Sequence, residues 1–234
     1  MALPEPIRVA DIRVHEGNYI QITLRQMWEE LPFLLAGALL VSLPGVPCTV
    51  WAQRGAFLPA SLVGIGLLAP LWVAYCHTLG RVSLGEKPSF EGLFSSSRHS
   101  FWRSVAVAAP FGIFWPVVMS FAPGLRLALP LPVTVGIALQ GITLIVLGLL
   151  TLSALPLLAL FDLKLSQSWQ NSLYLLARWP VVSTGLASLL VLLFFASGWL
   201  GLVSWPLIPL LYGPFAVNAV LLLVHKTAGV GPAH

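Results

Sequence analysis

Residues 132–161 read PVTVGIALQGITLIVLGLLTLSALPLLALF, thirty residues without a charge, and Asp162 follows at once. A helix rises about 1.5 Å per residue and a bilayer's hydrocarbon layer is about 30 Å thick, so about 20 apolar residues suffice to cross it. This stretch is longer than needed, which predicts tilt, a kink at Pro156, or a protruding end. At about 100° per residue, Gly136, Gln140, Thr143, Gly148, Thr151, Ala159 and Asp162 fall on one broad side. Lipid offers Gln140 no hydrogen-bond partner, so that side is expected to turn toward other helices.

The rest of the chain agrees with a membrane fold. Hydrophobic residues make up 58% of the 234 and charged ones 9%, with a mean hydropathy of +0.91. Soluble domains carry about 25% charge, and so few charges could not cover a water-exposed surface of this size. The expected fold is all-α, a polytopic membrane bundle of about six transmembrane helices, with the bilayer as its first partner. The net charge of +4 reads as basic loops near anionic headgroups, so nucleic acid is not an expected partner. Cys48 and Cys76 fall at opposite ends of neighbouring spans, too far apart to bond, and act as small apolar fillers. The first 26 residues are polar and mixed in charge, without the short apolar region and A-x-A site of a cleavable signal.

Taken in order, residues 1–17 form a tail, residues 18–226 one transmembrane domain and residues 227–234 a second tail. The spans fall at about 31–50, 58–79, 104–122, 132–161, 181–201 and 205–224. Amphipathic interfacial helices are expected on the inner side near 18–30, 90–103 and 166–178. The first carries Ile20, Leu24, Met27, Trp28 and Leu31 on one face. Arg8, Arg13, Arg25, Arg81, Lys87, Arg98, Arg103, Lys164, Arg178 and Lys226 then share one side of the membrane, against Arg54 and Arg126 on the other. This bias places both termini in the cytoplasm and favours an even number of crossings. Each amphipathic segment precedes two spans, which suggests three related units. Among the prolines within the spans, the Pro44-Gly45-Val46-Pro47 group is expected to break the first.

Catalytic motifs do not survive scrutiny. His15-Glu16-Gly17-Asn18 begins like a zinc-protease signature but Tyr19 stands where the second ligand belongs. Gly64-Ile65-Gly66-Leu67-Leu68-Ala69 matches a dinucleotide fingerprint by letter inside a span, with no strand before it. No embedded nucleophile has a base or a metal beside it, so no enzyme activity, cofactor or metal is expected. The remaining polar groups at depth are Gln140, Thr143, Tyr212 and Asn218, which either line a permeation path or bond between helices. Thr143 could also bond its own helix backbone. Asp162 and Arg178 match in depth and could pair at the inner surface.

Ser42-Leu43-Pro44 with Thr49, Leu79 to Ser104 (LGRVSLGEKPSFEGLFSSSRHSFWRS) and Leu155 to Pro180 (LPLLALFDLKLSQSWQNSLYLLARWP) together resemble the YesL-like family of small bacterial membrane proteins. The resemblance lies in a leucine-proline element after the first span, a short "GE" connection before an aromatic helix, and an "LFD … N … L…R.P" run. It implies a bacterial inner-membrane location and an accessory role in solute uptake. Carbohydrate is the solute class that the family's neighbouring transport genes suggest, and transporter subunits are the implied partners; a second copy of the chain is a further candidate partner. No catalytic residues come with the resemblance. The different expectation, drawn from the residues alone, is a self-contained channel or carrier using Gln140 and Asn218.

Overall fold

The computed structural model of the protein describes residues 19–121, 131–161, 163–200 and 205–227, and these form a helical bundle. The helices are α1 (Tyr19–Glu29), α2 (Leu31–Ser42), α3 (Gly45–Gln53), α4 (Phe57–Val63), α5 (Ala69–Ser83), α6 (Phe90–Phe121), α7 (Leu131–Phe161), α8 (Leu165–Arg178), α9 (Pro180–Leu200) and α10 (Leu207–Thr227). Five segments are long and apolar enough to cross a membrane: Leu31–Gln53, Phe57–Ser83, Phe90–Ser120, Ala138–Phe161 and Leu207–His225. A sixth arises if α8 and the start of α9, bent by 102° at Trp179, count together. The protein is thus a multi-pass membrane bundle of five or six spans. The two predicted tails lie almost entirely outside the described residues.

Proline placement explains most of the breaks. Pro44 and Pro47 part α2 from α3, so the first span is two helices. Pro70 has no N–H to give the Gly66 carbonyl, and the backbone absorbs the defect as a π-helical turn over Gly64–Leu68. There the Ala69 N–H reaches back five residues to the Gly64 carbonyl. The glycine-rich letters of the discarded dinucleotide motif therefore mark a mid-span π-turn. Pro110, Pro116, Pro156 and Pro214 sit inside helices that continue through them, as membrane helices allow.

The three expected units enter the bundle in three different ways. Between α1 and α2 lies the single residue Glu30. Residues 90–103, expected as an interfacial helix of their own, instead run without a break into the next span as the 32-residue α6. Only α8 turns sharply from the helix that follows it. The chain reverses at Arg54–Ala56, which puts Arg54 at the opposite end of the bundle from Arg81 and Lys87; Arg126 lies outside the described residues.

The most enclosed element is α5, not α7. Every residue from Val73 to Gly80 is buried, with Val73, Ala74, Tyr75 and Cys76 at 0% exposure. It packs against α2, α6, α7 and α10. Tyr75 shows how the contact is made. Its ring lies between Gly37 of α2 and Gly213 of α10, where an added Cβ would stand 2.8 Å from ring carbons on either edge. Glycine at both places lets three backbones close around one aromatic ring, the mode of contact that membrane helices favour. The Tyr75 hydroxyl donates to the Leu34 carbonyl over a long 3.4 Å. On α7 burial is one-ended: Thr151 and Ala154–Leu160 are buried, whereas Leu139, Ile142, Ile145 and Val146 are exposed.

Candidate functional site

The buried polar centre is at Asn218, where three elements meet. Its Nδ2 donates to Thr23 Oγ1 at 3.1 Å and to Gln26 Oε1 at 3.0 Å, both on α1. Its Oδ1 accepts from Ser83 Oγ at 2.9 Å, on the last residue of α5. The same Ser83 hydroxyl is 3.0 Å from the Leu79 carbonyl, so one proton serves two acceptors. Thr23 and Gln26 share a face of α1 because they are three residues apart. That polar face turns into the bundle, while Ile20, Leu24 and Trp28 on the other side are exposed, Trp28 at 80%. Gln21, Arg25 and Glu29 are exposed as well, so among the described residues α1 turns only Thr23, Gln26 and Met27 inward. Of the apolar face expected for α1, only Met27 is buried against the core.

Asn218 therefore stands at the level of the end of α5, beside α1, and nine further residues of α10 follow it. A cavity of about 10 Å³ adjoins it, bounded by Met27, Leu34, Leu79, Val82, Ser83 and Pro214 among others. That is room for at most one water.

Tyr212 occupies a second place. It is 3% exposed and stacks on Trp72 of α5 with centroids 5.8 Å apart at 26°. Beside it α7, α9 and α10 enclose about 20 Å³ at Ser153, Pro156, Ser183 and Ala187. Pro156 leaves the Leu152 carbonyl without its helical donor, and Leu152 lines this cavity.

Gln140 and Thr143 belong to neither place. Gln140 is half-buried and forms no hydrogen bond among the described residues. Thr143 is exposed, and its hydroxyl donates to the Leu139 carbonyl of its own helix at 2.9 Å. The expectation that the whole Gly136–Asp162 side faces other helices is corrected accordingly. Thr151 and Ala159 are buried, whereas Gln140 is half-buried and Thr143 exposed; α6 approaches this side through Phe111 at Gly148, about 12 Å along the axis from Gln140. Neither of the two cavities, at Asn218 and at Tyr212, has Gln140 in its wall. Arg178 is exposed, and its expected partner Asp162 lies outside the described residues.

Sequence reading missed two contacts. Ser172 of α8 donates to the Leu150 carbonyl of α7 at 2.9 Å, pinning the amphipathic helix through a hydroxyl and not through its aromatics. Ser168, one turn earlier, is fully buried with them, while Leu173 and Tyr174 are exposed. The spacing Ser168–Ser172–Leu175 was the available signal, a helical face that is small where it touches protein. Cys48 and Cys76 are both free, and the Cys48 thiol contacts the Ala60 carbonyl at 3.3 Å. Among the described residues no three His, Cys, Asp or Glu side chains converge as metal ligands would. No family model, curated protein or solved structure matches this chain.

Proposed function

We propose that this protein is an accessory component of solute uptake, with carbohydrate the foremost solute class, that works by lateral contact with transporter subunits in the cytoplasmic membrane. Both termini lie on the cytoplasmic side in this reading, from the ten-to-two distribution of Lys and Arg. One observation carries it. Asn218, the polar residue best placed to serve a conduit, spends its donors and acceptor on Thr23, Gln26 and Ser83. The cavities at Asn218 and Tyr212, about 10 and 20 Å³, are of single-water size. A polar centre satisfied in this way supports contact through the outer faces better than passage through the middle. The solute class comes from the resemblance to YesL-like proteins.

The test has two arms. Purification of the tagged full chain from its own membranes in mild detergent is expected to retain a permease complex in defined stoichiometry. In liposomes, the chain alone is expected to give no solute flux above the empty-vesicle rate, for the native sequence and for the Gln140→Leu and Asn218→Leu variants alike. Flux that either substitution abolishes would establish a self-contained carrier and end this proposal.

A further inference from the structure

On α6 the face opposite the bundle carries a shallow groove, wide open to its surroundings, lined by Phe94, Ser97, Arg98, Phe101 and Trp102. These residues recur three and four apart and so stand on one side of the helix. The other side, with Leu93, Ser96, Ser100, Ser104 and Val107, is buried. Phe94 is 54% and Trp102 78% exposed, large for aromatic rings. The wall is braced: Phe101 meets Trp102 edge-on, centroids 5.2 Å apart at 89°. In the middle stands the exposed Arg98, which has no ion pair or hydrogen bond among the described residues. By contrast Arg25 is held by Glu29 at 2.7 Å and Arg81 by Glu86 at 2.5 Å.

The groove lies at the basic end of the bundle. Phe90, one turn before Phe94, packs on Phe33 at the start of α2 with centroids 5.0 Å apart. This is the end that holds Arg81, Lys87 and the start of α2, where a span meets headgroups.

We propose that this groove is a binding site for an anionic phospholipid, whose phosphate takes the Arg98 guanidinium and the Ser97 hydroxyl while its glycerol and upper chains lie on Phe94, Phe101 and Trp102. A guanidinium offers phosphate paired donors in a fixed fork, and rings at headgroup depth suit the ester region. A soluble anion would use the cation and leave the rings in water. A zwitterionic lipid would use the rings and bring a compensating ammonium. Only an amphiphile with net negative charge matches both parts. Glu91 lies on the same side about 10 Å along the axis, beyond direct contact and about one screening length away.

The site is independent of any role in uptake and is tested on the purified full chain in detergent micelles doped with phosphatidylglycerol or phosphatidylcholine. Phosphatidylglycerol is expected to raise the midpoint of thermal unfolding more than phosphatidylcholine does, and native mass spectrometry to retain it. Arg98→Gln is expected to weaken apparent phosphatidylglycerol affinity about fivefold, the factor for one interfacial cation. Arg98→Lys is expected to keep part of the preference, and Arg25→Gln, at a cation already paired, to keep all of it. Arg98 is exposed, so circular dichroism of its variants should be unchanged. Equal stabilisation by the two lipids would overturn the proposal. So would an undiminished preference in Arg98→Gln, equal loss in Arg25→Gln, or full replacement of the lipid by inorganic phosphate.

Discussion

Replacing either glycine beside Tyr75 by alanine should destabilise the bundle, although alanine is the better helix former. The new methyl carbon at position 37 would stand 2.8 Å from Tyr75 Cε2 and 3.0 Å from Cδ2. Comfortable carbon contacts are about 3.5–4.0 Å, so the ring would have to retreat by about 0.7–1.2 Å. Its opposite edge is against Gly213, where the equivalent methyl would also stand 2.8 Å away. Tyr75 is fully buried, so it has no exit to lipid. Overpacking of this kind costs about 1–3 kcal/mol, against a propensity gain of at most about 1 kcal/mol. Gly37→Ala and Gly213→Ala are each expected to lower the melting temperature in mild detergent by several degrees. Gly136→Ala, where an added Cβ meets nothing within 4 Å, should leave it unchanged or raise it. Because both glycines press on one ring, Tyr75→Leu should relieve much of the Gly37→Ala cost, a coupling that independent sites would not show. If Gly37→Ala melts with the native chain, or if Tyr75→Leu adds its cost in full, the clamp is not what holds α2, α5 and α10 together.

Two further substitutions probe the polar contacts. Asn218→Leu removes the bonds to Thr23, Gln26 and Ser83. Interhelical bonds in membranes contribute about 0.6 kcal/mol each on average, so a total loss of about 1–2 kcal/mol is expected, with faster hydrogen exchange concentrated in α1. Unchanged protection of α1 would show that its apolar face alone holds it. Ser172→Ala should cost under about 1 kcal/mol, since only one interhelical bond goes, and should speed exchange in α8 before α9. A loss spread evenly over the bundle would refute the pin.

The class of fold was readable from residues 132–161 and from the scarcity of charge, because backbone in lipid has few ways to satisfy its own hydrogen bonds and a helix is the chief one. The break after α2 was readable too, although Pro110, Pro116, Pro156 and Pro214 gave the same signal in helices that continue. Pro44, Pro47 and Pro70 lack the N–H that a continuous helix needs, and the structure interrupts α2/α3 and bulges before α5 at those positions. Gln140, Thr143, Tyr212 and Asn218 were picked as residues that need a partner, but which of them found one was not written in the chain. Asn218 met Ser83, 135 positions away, and Thr23, 195 away, whereas Gln140 met none among the described residues.

By itself, then, the order of residues determined that this protein lies in a bilayer as a bundle of helices. The tertiary structure alone decided that α5 is the central helix, that α6 absorbs its amphipathic lead without a break, and that Leu139, Ile142, Ile145 and Val146 of α7 are left exposed. The reason is physical: lipid is as apolar as a leucine-rich interior, so hydropathy cannot tell an inward face from an outward one. Close approach decides instead, through Gly37 and Gly213 around Tyr75, and approach is a property of three helices at once.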